Sequence, residues 1–436
     1  MKAIKTVTVV GANGTMGYSV SGVFASFGNC KVYMVARKKE AADQAVLNAA
    51  GTVKADSISQ RLIAKTYDDL ATILPETDLV FESVAENIEI KKDINEKIAK
   101  YIKDDCIVAT GTSGLSIEEL SKNFPEKVRA RYTGTHFFNP PYQLTLCEVI
   151  PTSGTDRAWL KEYKEYLQTV LRRAVVEIKD EAGFLGNRIG FQLMNEVMQY
   201  AEKYKDKGGI DYMDAILGSF SGRAMSPIAT VDFVGLDVHK AIVDNLYAKT
   251  NDYAHETYVL PKYVQSQIDK GEMGRKAGAG LYRTVKNEDG SKKRQVYDIA
   301  TGQFRDLAKY SFPFVKKMTS ALHLSDYKGA FESLKNDGSQ EANLCLEFML
   351  KYVLYALATT DAVAEKPGDA DICMVTGFNW APAIGIVIAL GGADEVKKLM
   401  KKYIDASWLA KVDLDKLINN NLKPEYDYRR YFSAGR

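Results

Sequence analysis

The stretch VVGANGTMG, Val9 to Gly17, constrains this chain more than any other. The apolar run Thr6–Val10 (TVTVV) leads straight into three glycines, Gly11, Gly14 and Gly17, and then into a helical pattern. A strand, a glycine turn and a helix in that order point backbone amides and a helix N-terminus at a phosphate or pyrophosphate. Glycines also punctuate ordinary turns, and the spacing here is GxxGxxG, one residue longer than the GxGxxG dinucleotide fingerprint. The next strand sharpens the reading. KVYMV (31–35) is followed by Ala36-Arg37-Lys38-Lys39, where a dinucleotide site places an acid on the adenine ribose. A carboxylate would repel a ribose 2′-phosphate and an arginine would clamp one with paired hydrogen bonds. The residues therefore favour NADP(H), with NAD(H) as the alternative and a solvated helix start as the bland reading. Gly11, Asn13, Gly14, Thr15, Met16 and Gly17, with Arg37 and Lys38, are the candidate cofactor contacts.

Apolar runs at 78–83 (DLVFES), 106–110 (CIVAT) and 132–138 (YTGTHFF) continue the alternation of strand and charged helix, and 146–150 (LCEVI) and 174–178 (AVVEI) add two more strands. Such alternation predicts an α/β doubly wound sheet. A chain of 436 residues exceeds what one core usually serves. The predicted divisions are a dinucleotide-binding domain over 1–180, a helical domain over 181–285, a hairpin or linker over 286–312 around KNEDGSKKR, and a second helical region over 313–436. The two helical regions read as copies. MDAILGSFSGRAMSPIATVDFVGLD (213–237) matches ADICMVTGFNWAPAIGIVIALGG (370–392), with Asp214 against Asp371 and Pro227 against Pro382.

A net charge of +2 gives no global field for nucleic acid or membrane, and no apolar run of membrane-spanning length stands out, so neither partner is expected. Cys30, Cys106, Cys147, Cys345 and Cys373 are scattered with no CxxC, and the four histidines show no metal-ligand spacing. They read as reduced, buried thiols without a metal site. With no apolar leader before TVTVV, the expected location is cytoplasmic.

GTHFFNPP (134–141) sets His136 among apolar strand residues, and TLCEVIP places Glu148 inside the next strand. A carboxylate so surrounded needs a partner, because an unpaired buried charge is costly. A carboxylate on one imidazole nitrogen would orient the ring and stabilise its cation. At this point the chain resembles the 3-hydroxyacyl-CoA dehydrogenase family. The resemblance is carried by VVGANGTMG, FESVAENIEIKKDI (81–94), GTSGLSI (111–117), GTHFFNPPYQLTLCEVI (134–150), DEAGFLGNRIG (180–190), SPIATVDFVGLDV (226–238) and GRKAGAGLY (274–282). It implies a Rossmann-type sheet followed by an all-α region of two similar repeats, as in fused fatty-acid oxidation proteins, whose hydratase part is not found here.

The resemblance implies that His136, paired with Glu148, exchanges the proton of the 3-hydroxyl, and that Ser113 and Asn187 hold substrate oxygens. Glu86, Lys91 and Asn139 match family residues near the cofactor. The segment 40–75 matches a helical arm that touches coenzyme A, making Arg61 and Lys65 candidate contacts to CoA phosphates. The implied substrate is an (S)-3-hydroxyacyl-CoA, and the implied assembly is a monomer or homodimer, in contact with a hydratase or thiolase. A dehydrogenase of a free 3-hydroxy acid and a non-catalytic nucleotide-binding protein are the competing readings. The family turn is usually GAGTMG, so Asn13 is the inserted residue. Gly111 and Gly114 replace Asn and Ser of the family's NTSSL, and Ala182 replaces a proline.

Overall fold

The computed structural model describes residues 2–418 and 422–433. The chain divides into two compact units: residues 1–184 with 363–365, and 185–362 with 366–436. The first boundary falls four residues after the predicted one. The two predicted helical regions belong to one unit.

The first unit is built on eight strands: β1 (Thr6–Val10), β2 (Lys31–Ala36), β3 (Leu62–Thr66), β4 (Leu79–Glu82), β5 (Ile107–Thr110), β6 (Tyr132–Phe137), β7 (Leu146–Pro151) and β8 (Ala174–Glu177). Their order is β3-β2-β1-β4-β5-β6-β7-β8. From β3 to β6 all neighbours are parallel. The order reverses direction at β1, and that switch point is where open α/β sheets leave a crevice at the strand C-termini. The central strands are buried on both faces, which explains their continuous apolar runs. Phe81 on β4 meets Phe24 and Phe137 edge-on, at centroid distances of 6.1 and 5.6 Å, within that core.

Two features of the sheet escape the sequence pattern. β3 lies within the segment read as a helical arm. Only its first residue, Leu62, is buried, and Ile63 to Thr66 are half-covered, as befits an edge strand with little apolar signal. β7 runs antiparallel to β6, and the register sets His136 directly opposite Glu148.

The second unit begins with the helix Gly186–Lys203. The two segments paired in the sequence share one local arrangement. Asp214 accepts hydrogen bonds from the Ile228 and Ala229 amides, both at 2.9 Å, at the start of the helix Pro227–Val234. Asp371 likewise accepts from the Ile384 amide at 3.0 Å, at the start of the helix Ala383–Ala389 after Pro382. Each segment thus uses a buried aspartate to satisfy the first amides of a helix preceded or opened by proline. The two helical regions touch: a Cβ on Gly190 would come within 2.4 Å of the Phe378 ring, so only glycine fits there. The predicted hairpin is a three-stranded antiparallel sheet, β9 (Tyr282–Lys286), β10 (Lys292–Asp298) and β11 (Gln303–Asp306). The helix Gln340–Val363 is long and apolar enough to cross a membrane by length and composition, a feature the sequence reading did not register, and 83% of its apolar window is buried inside the protein.

Candidate active site

The glycine turn sits at the switch point. Gly11 has φ +84°, and a Cβ there would lie 2.5 Å from the Ser83 carbonyl oxygen. A Cβ on Gly17 would lie 2.4 Å from the Gly11 carbonyl oxygen, so this glycine lets the helix close onto the turn. The Gly11 and Ala12 amides both donate to the Val35 carbonyl at 3.0 Å, tying the turn to the end of β2. The helix Thr15–Ser26 starts after Gly14 with no side-chain cap and no acid in its first turn. Its N-terminal amides and dipole are left for an anion. Asn13 stands exposed in the turn, and Thr15 and Met16 open the helix.

Beside the turn is a cavity of about 870 Å³, bordered by Gly11, Asn13, Gly14, Arg37, Tyr67 and Asp68 on one side and by Val84, Ala85, Ile90 and Ile94 on the other. A cavity of mixed apolar and charged lining, beside a glycine turn at the switch point, suits the adenosine half of a dinucleotide, so these residues fit a nicotinamide cofactor. Arg37 borders the cavity. Lys38 does not, because it occupies the cap position of the helix Lys39–Val53.

The reacting end lies at β5–β7. The His136 ring is 4% exposed and Glu148 is fully buried. His136 Nδ1 and Glu148 Oε2 are 2.7 Å apart. With a carboxylate as its neighbour, Nδ1 carries the proton and donates it, which leaves Nε2 as an acceptor. The Ser113 hydroxyl, 3.1 Å away, donates to that Nε2. Phe138 and Phe184 wall the imidazole at centroid distances of 4.6 and 5.4 Å. Glu86 holds the serine loop: its Oε1 accepts from the Ser113 amide at 2.8 Å and the Thr112 hydroxyl at 2.5 Å. Asn139 is exposed just beyond β6, in a cis peptide bond to Pro140.

The structure corrects several sequence readings. Arg61 donates to the Ala25 carbonyl at 2.8 Å, and Lys65, on β3, pairs with Asp69 at 3.2 Å. Both bond at the edge of the sheet, Arg61 just before β3 and Lys65 within it, after the helix Lys39–Val53. Lys91 does not reach the cavity. It is 1% exposed and bonds both oxygens of buried Glu82, at 2.8 and 3.0 Å. Glu82 also accepts from the Val84 amide at 2.7 Å and the Thr110 hydroxyl at 2.6 Å, so the pair braces the loop after β4. Asn187 lies in the second unit, in the first turn of the helix Gly186–Lys203, with its side chain 6% exposed. Sequence reasoning missed Glu82, although a lone acid ending an apolar strand is the signal that singled out Glu148. It missed Tyr67 and Asp68 because it missed β3. None of the five cysteines forms a disulfide, and all five are buried.

Residues 6–181 match the model of the 3-hydroxyacyl-CoA dehydrogenase NAD-binding domain, and residues 183–284 match that of its C-terminal domain. The chain belongs to the 3-hydroxyacyl-CoA dehydrogenase family. A probable 3-hydroxyacyl-CoA dehydrogenase of Bacillus subtilis is 30% identical over 72% of this chain and 38% of its own length. A putative fatty acid oxidation complex trifunctional enzyme of Rickettsia felis is 28% identical over 86% of this chain and 52% of its own length. The chain thus spans about two fifths to one half of these relatives. The (S)-3-hydroxybutyryl-CoA dehydrogenase of Ralstonia eutropha superposes with a TM-score of 0.55 at 27% identity, covering 64% of this chain and 98% of that one. The 3-hydroxybutyryl-CoA dehydrogenase of Escherichia coli, at 20% identity, shares the fold over 93% of this chain and 96% of its own, with a TM-score of 0.64. The match to an NAD-binding domain supports a nicotinamide cofactor.

Proposed function

We propose that this chain interconverts (S)-3-hydroxyacyl-CoA and 3-oxoacyl-CoA, with His136 as the acid–base and NADP(H) as the preferred cofactor. The line Ser113–His136–Glu148, at 3.1 and 2.7 Å, is the observation that carries this reading. When bound, the nicotinamide supplies the hydride acceptor, or in reverse the donor. Gly11, Gly14 and the start of the helix Thr15–Ser26 would hold its pyrophosphate, and Arg37 its adenosine end.

The chain's own part is proton transfer and orientation. Nε2 of His136 takes the proton of the substrate 3-hydroxyl, and Glu148 stabilises the imidazolium that results. In the reductive direction Nε2 returns the proton to the forming alkoxide. The Ser113 hydroxyl lies against Nε2, so an oxygen bound to the imidazole also meets this donor, where negative charge develops. Glu86 keeps the serine in place. Burial of Glu148 keeps water from competing for Nδ1. Asn187 is assigned to a substrate oxygen on the resemblance alone. The NADP(H) preference is supported by Arg37 at the cavity edge and by the absence of an acid at the end of β2.

Initial rates with acetoacetyl-CoA and with free acetoacetate, each with NADPH and NADH, test the proposal. The expected result is turnover of the thioester, faster with NADPH. Turnover of the free acid alone would transfer the reading to a free 3-hydroxy acid. Equal or better rates with NADH would remove the NADP(H) preference. His136→Ala should lower kcat by about 10²- to 10⁴-fold; unchanged turnover would leave the mechanism without its base.

A further inference from the structure

The end of β2 lacks an acid, and Asp68 stands two residues beyond the end of the neighbouring β3. β2 and β3 are parallel, and Ala36 pairs with Thr66, the last residue of each. Parallel neighbours about 5 Å apart deliver their next residues to the same edge. Arg37 from β2 and Tyr67-Asp68 from β3 accordingly border one cavity, beside Gly11 and Gly14.

The other acids around this edge are engaged. Asp69 accepts from the Thr66 amide at 2.8 Å and from Lys65 at 3.2 Å. Asp93 pairs with Lys97 at 2.7 Å, and Glu89 with Lys92 at 3.6 Å. Among the described residues, Asp68 has no hydrogen-bond or ion-pair partner, and its side chain is exposed on the cavity rim. Arg37 is likewise exposed there and, among the described residues, bonds neither Asp68 nor any other. A cation and an anion that share a rim without pairing are both available to a ligand.

We propose that Asp68 limits the preference for NADP(H), by accepting from the adenine-ribose hydroxyls of NAD(H) and repelling the 2′-phosphate of NADP(H). This rests on the nicotinamide reading of the site and deepens it. The rim holds one reader for each nucleotide. A carboxylate accepts two hydrogen bonds from vicinal hydroxyls, and a guanidinium donates a matched pair to a phosphate. Arg37 favours the phosphorylated cofactor and Asp68 limits how far it is favoured. The 2′-phosphate carries the only charge by which the two cofactors differ, so an acid at this position acts on their ratio and not on the reaction.

Calorimetric binding of two fragments, 2′,5′-ADP and 5′-AMP, tests this apart from activity. Asp68→Asn should tighten 2′,5′-ADP and weaken 5′-AMP, moving their affinity ratio by about tenfold, the size of one lost hydrogen bond to a charged group together with one relieved repulsion. Asp68→Glu should keep the ratio near that of the unaltered protein. KM for NADPH should fall and KM for NADH rise in the Asn variant. Movement of both fragments in the same direction, or of neither, would overturn the assignment. Arg37→Ala, measured alongside, separates this outcome from the NADP(H) preference. If the unaltered protein favours 5′-AMP and Asp68→Asn still shifts the ratio, the preference falls and Asp68 stands. If Arg37→Ala abolishes 2′,5′-ADP binding and Asp68→Asn changes nothing, the preference stands and Asp68 falls.

Discussion

Lys91→Met removes one cation, paired with buried Glu82 and, at 3.6 Å, with half-exposed Glu86. In the native chain Lys91 and Glu82 are 1% and 0% exposed at the side chain, with the ammonium 2.8 Å from the carboxylate. Methionine keeps most of the stem's volume and removes the cation, which leaves Glu82 buried with the Val84 amide and the Thr110 hydroxyl as its remaining donors. Breaking one side of a buried pair costs about 3–5 kcal/mol. Protonation limits the penalty: keeping a glutamic acid neutral at pH 7, when it titrates near 4.3 in water, costs about 4 kcal/mol. The two routes agree, so a loss of about 4 kcal/mol is expected at pH 7. At pH 5 the same protonation costs only about 1 kcal/mol, and most of the loss should vanish. The sign is opposite to that of ordinary acid denaturation: the variant approaches the parent as pH falls. Urea unfolding followed by hydrogen exchange of peptides from the segment 79–99 reads the first unit on its own. Glu82→Gln combined with Lys91→Met should recover much of the loss at pH 7, because no uncompensated charge is then buried. An equal loss at pH 5 and pH 8 would refute the electrostatic argument, and so would a double variant no better than Lys91→Met.

Three further outcomes follow from the same physics. Glu148→Gln keeps a partner on Nδ1 of His136 but removes the charge that stabilises the imidazolium, so kcat should fall by about 10²-fold or more while cofactor affinity holds; stopped-flow rates with unchanged kcat would contradict the dyad. Burial holds the His239 imidazole down at about 3, from 6.5. A depressed histidine contributes stability that is complete above 6.5 and lost as pH falls towards 3, at about 1.4 kcal/mol per pH unit. A His239→Gln variant should lose this slope between pH 6.5 and 4 in denaturant titrations, and a parallel slope would exclude the imidazole as its source. The two helix-capping aspartates should respond differently to amidation. Asp214 uses both oxygens, with Tyr282 donating at 2.7 Å as well, so Asp214→Asn should cost about 1–3 kcal/mol. Asp371 leaves Oδ2 without a partner, and burial raises it to about 7. Its stabilising contribution is present at low pH and lost as pH rises from about 4 to 7, so Asp371→Asn should be neutral or stabilising at pH 8. Equal thermal shifts for the two variants would argue against this difference.

Much of the fold was legible because its signals are local. Strands buried on both faces need unbroken apolar runs, so β1, β2, β4, β5 and β6 declare themselves, and Gly11 and Gly17 mark a turn that no side chain can enter. The shared capping arrangement was legible as well, since Asp214 and Asp371 each precede a proline that opens or precedes a helix. β3 was not legible, because an edge strand covered mainly at Leu62 shows neither a continuous apolar run nor an alternation. That one omission misassigned Arg61 and Lys65 and hid Tyr67 and Asp68.

Residue type and the cost of burying charge were enough to nominate His136 and Glu148, unlike Ser113, which the family resemblance alone supplied. They could not establish that the first two are a pair, for a separation of twelve residues has no meaning until β7 turns back along β6 and sets them opposite each other. Lys91 shows the same limit in reverse. Its sequence surroundings fit a cofactor contact, and only packing reveals that Glu82 claims it first. The sequence by itself determined the chemistry available to this protein: the glycine turn, the imidazole, the carboxylates and the bare end of β2. The tertiary structure decided which of these groups meet, because charge pairing and hydrogen bonding act over a few ångströms and distance along the chain does not measure them.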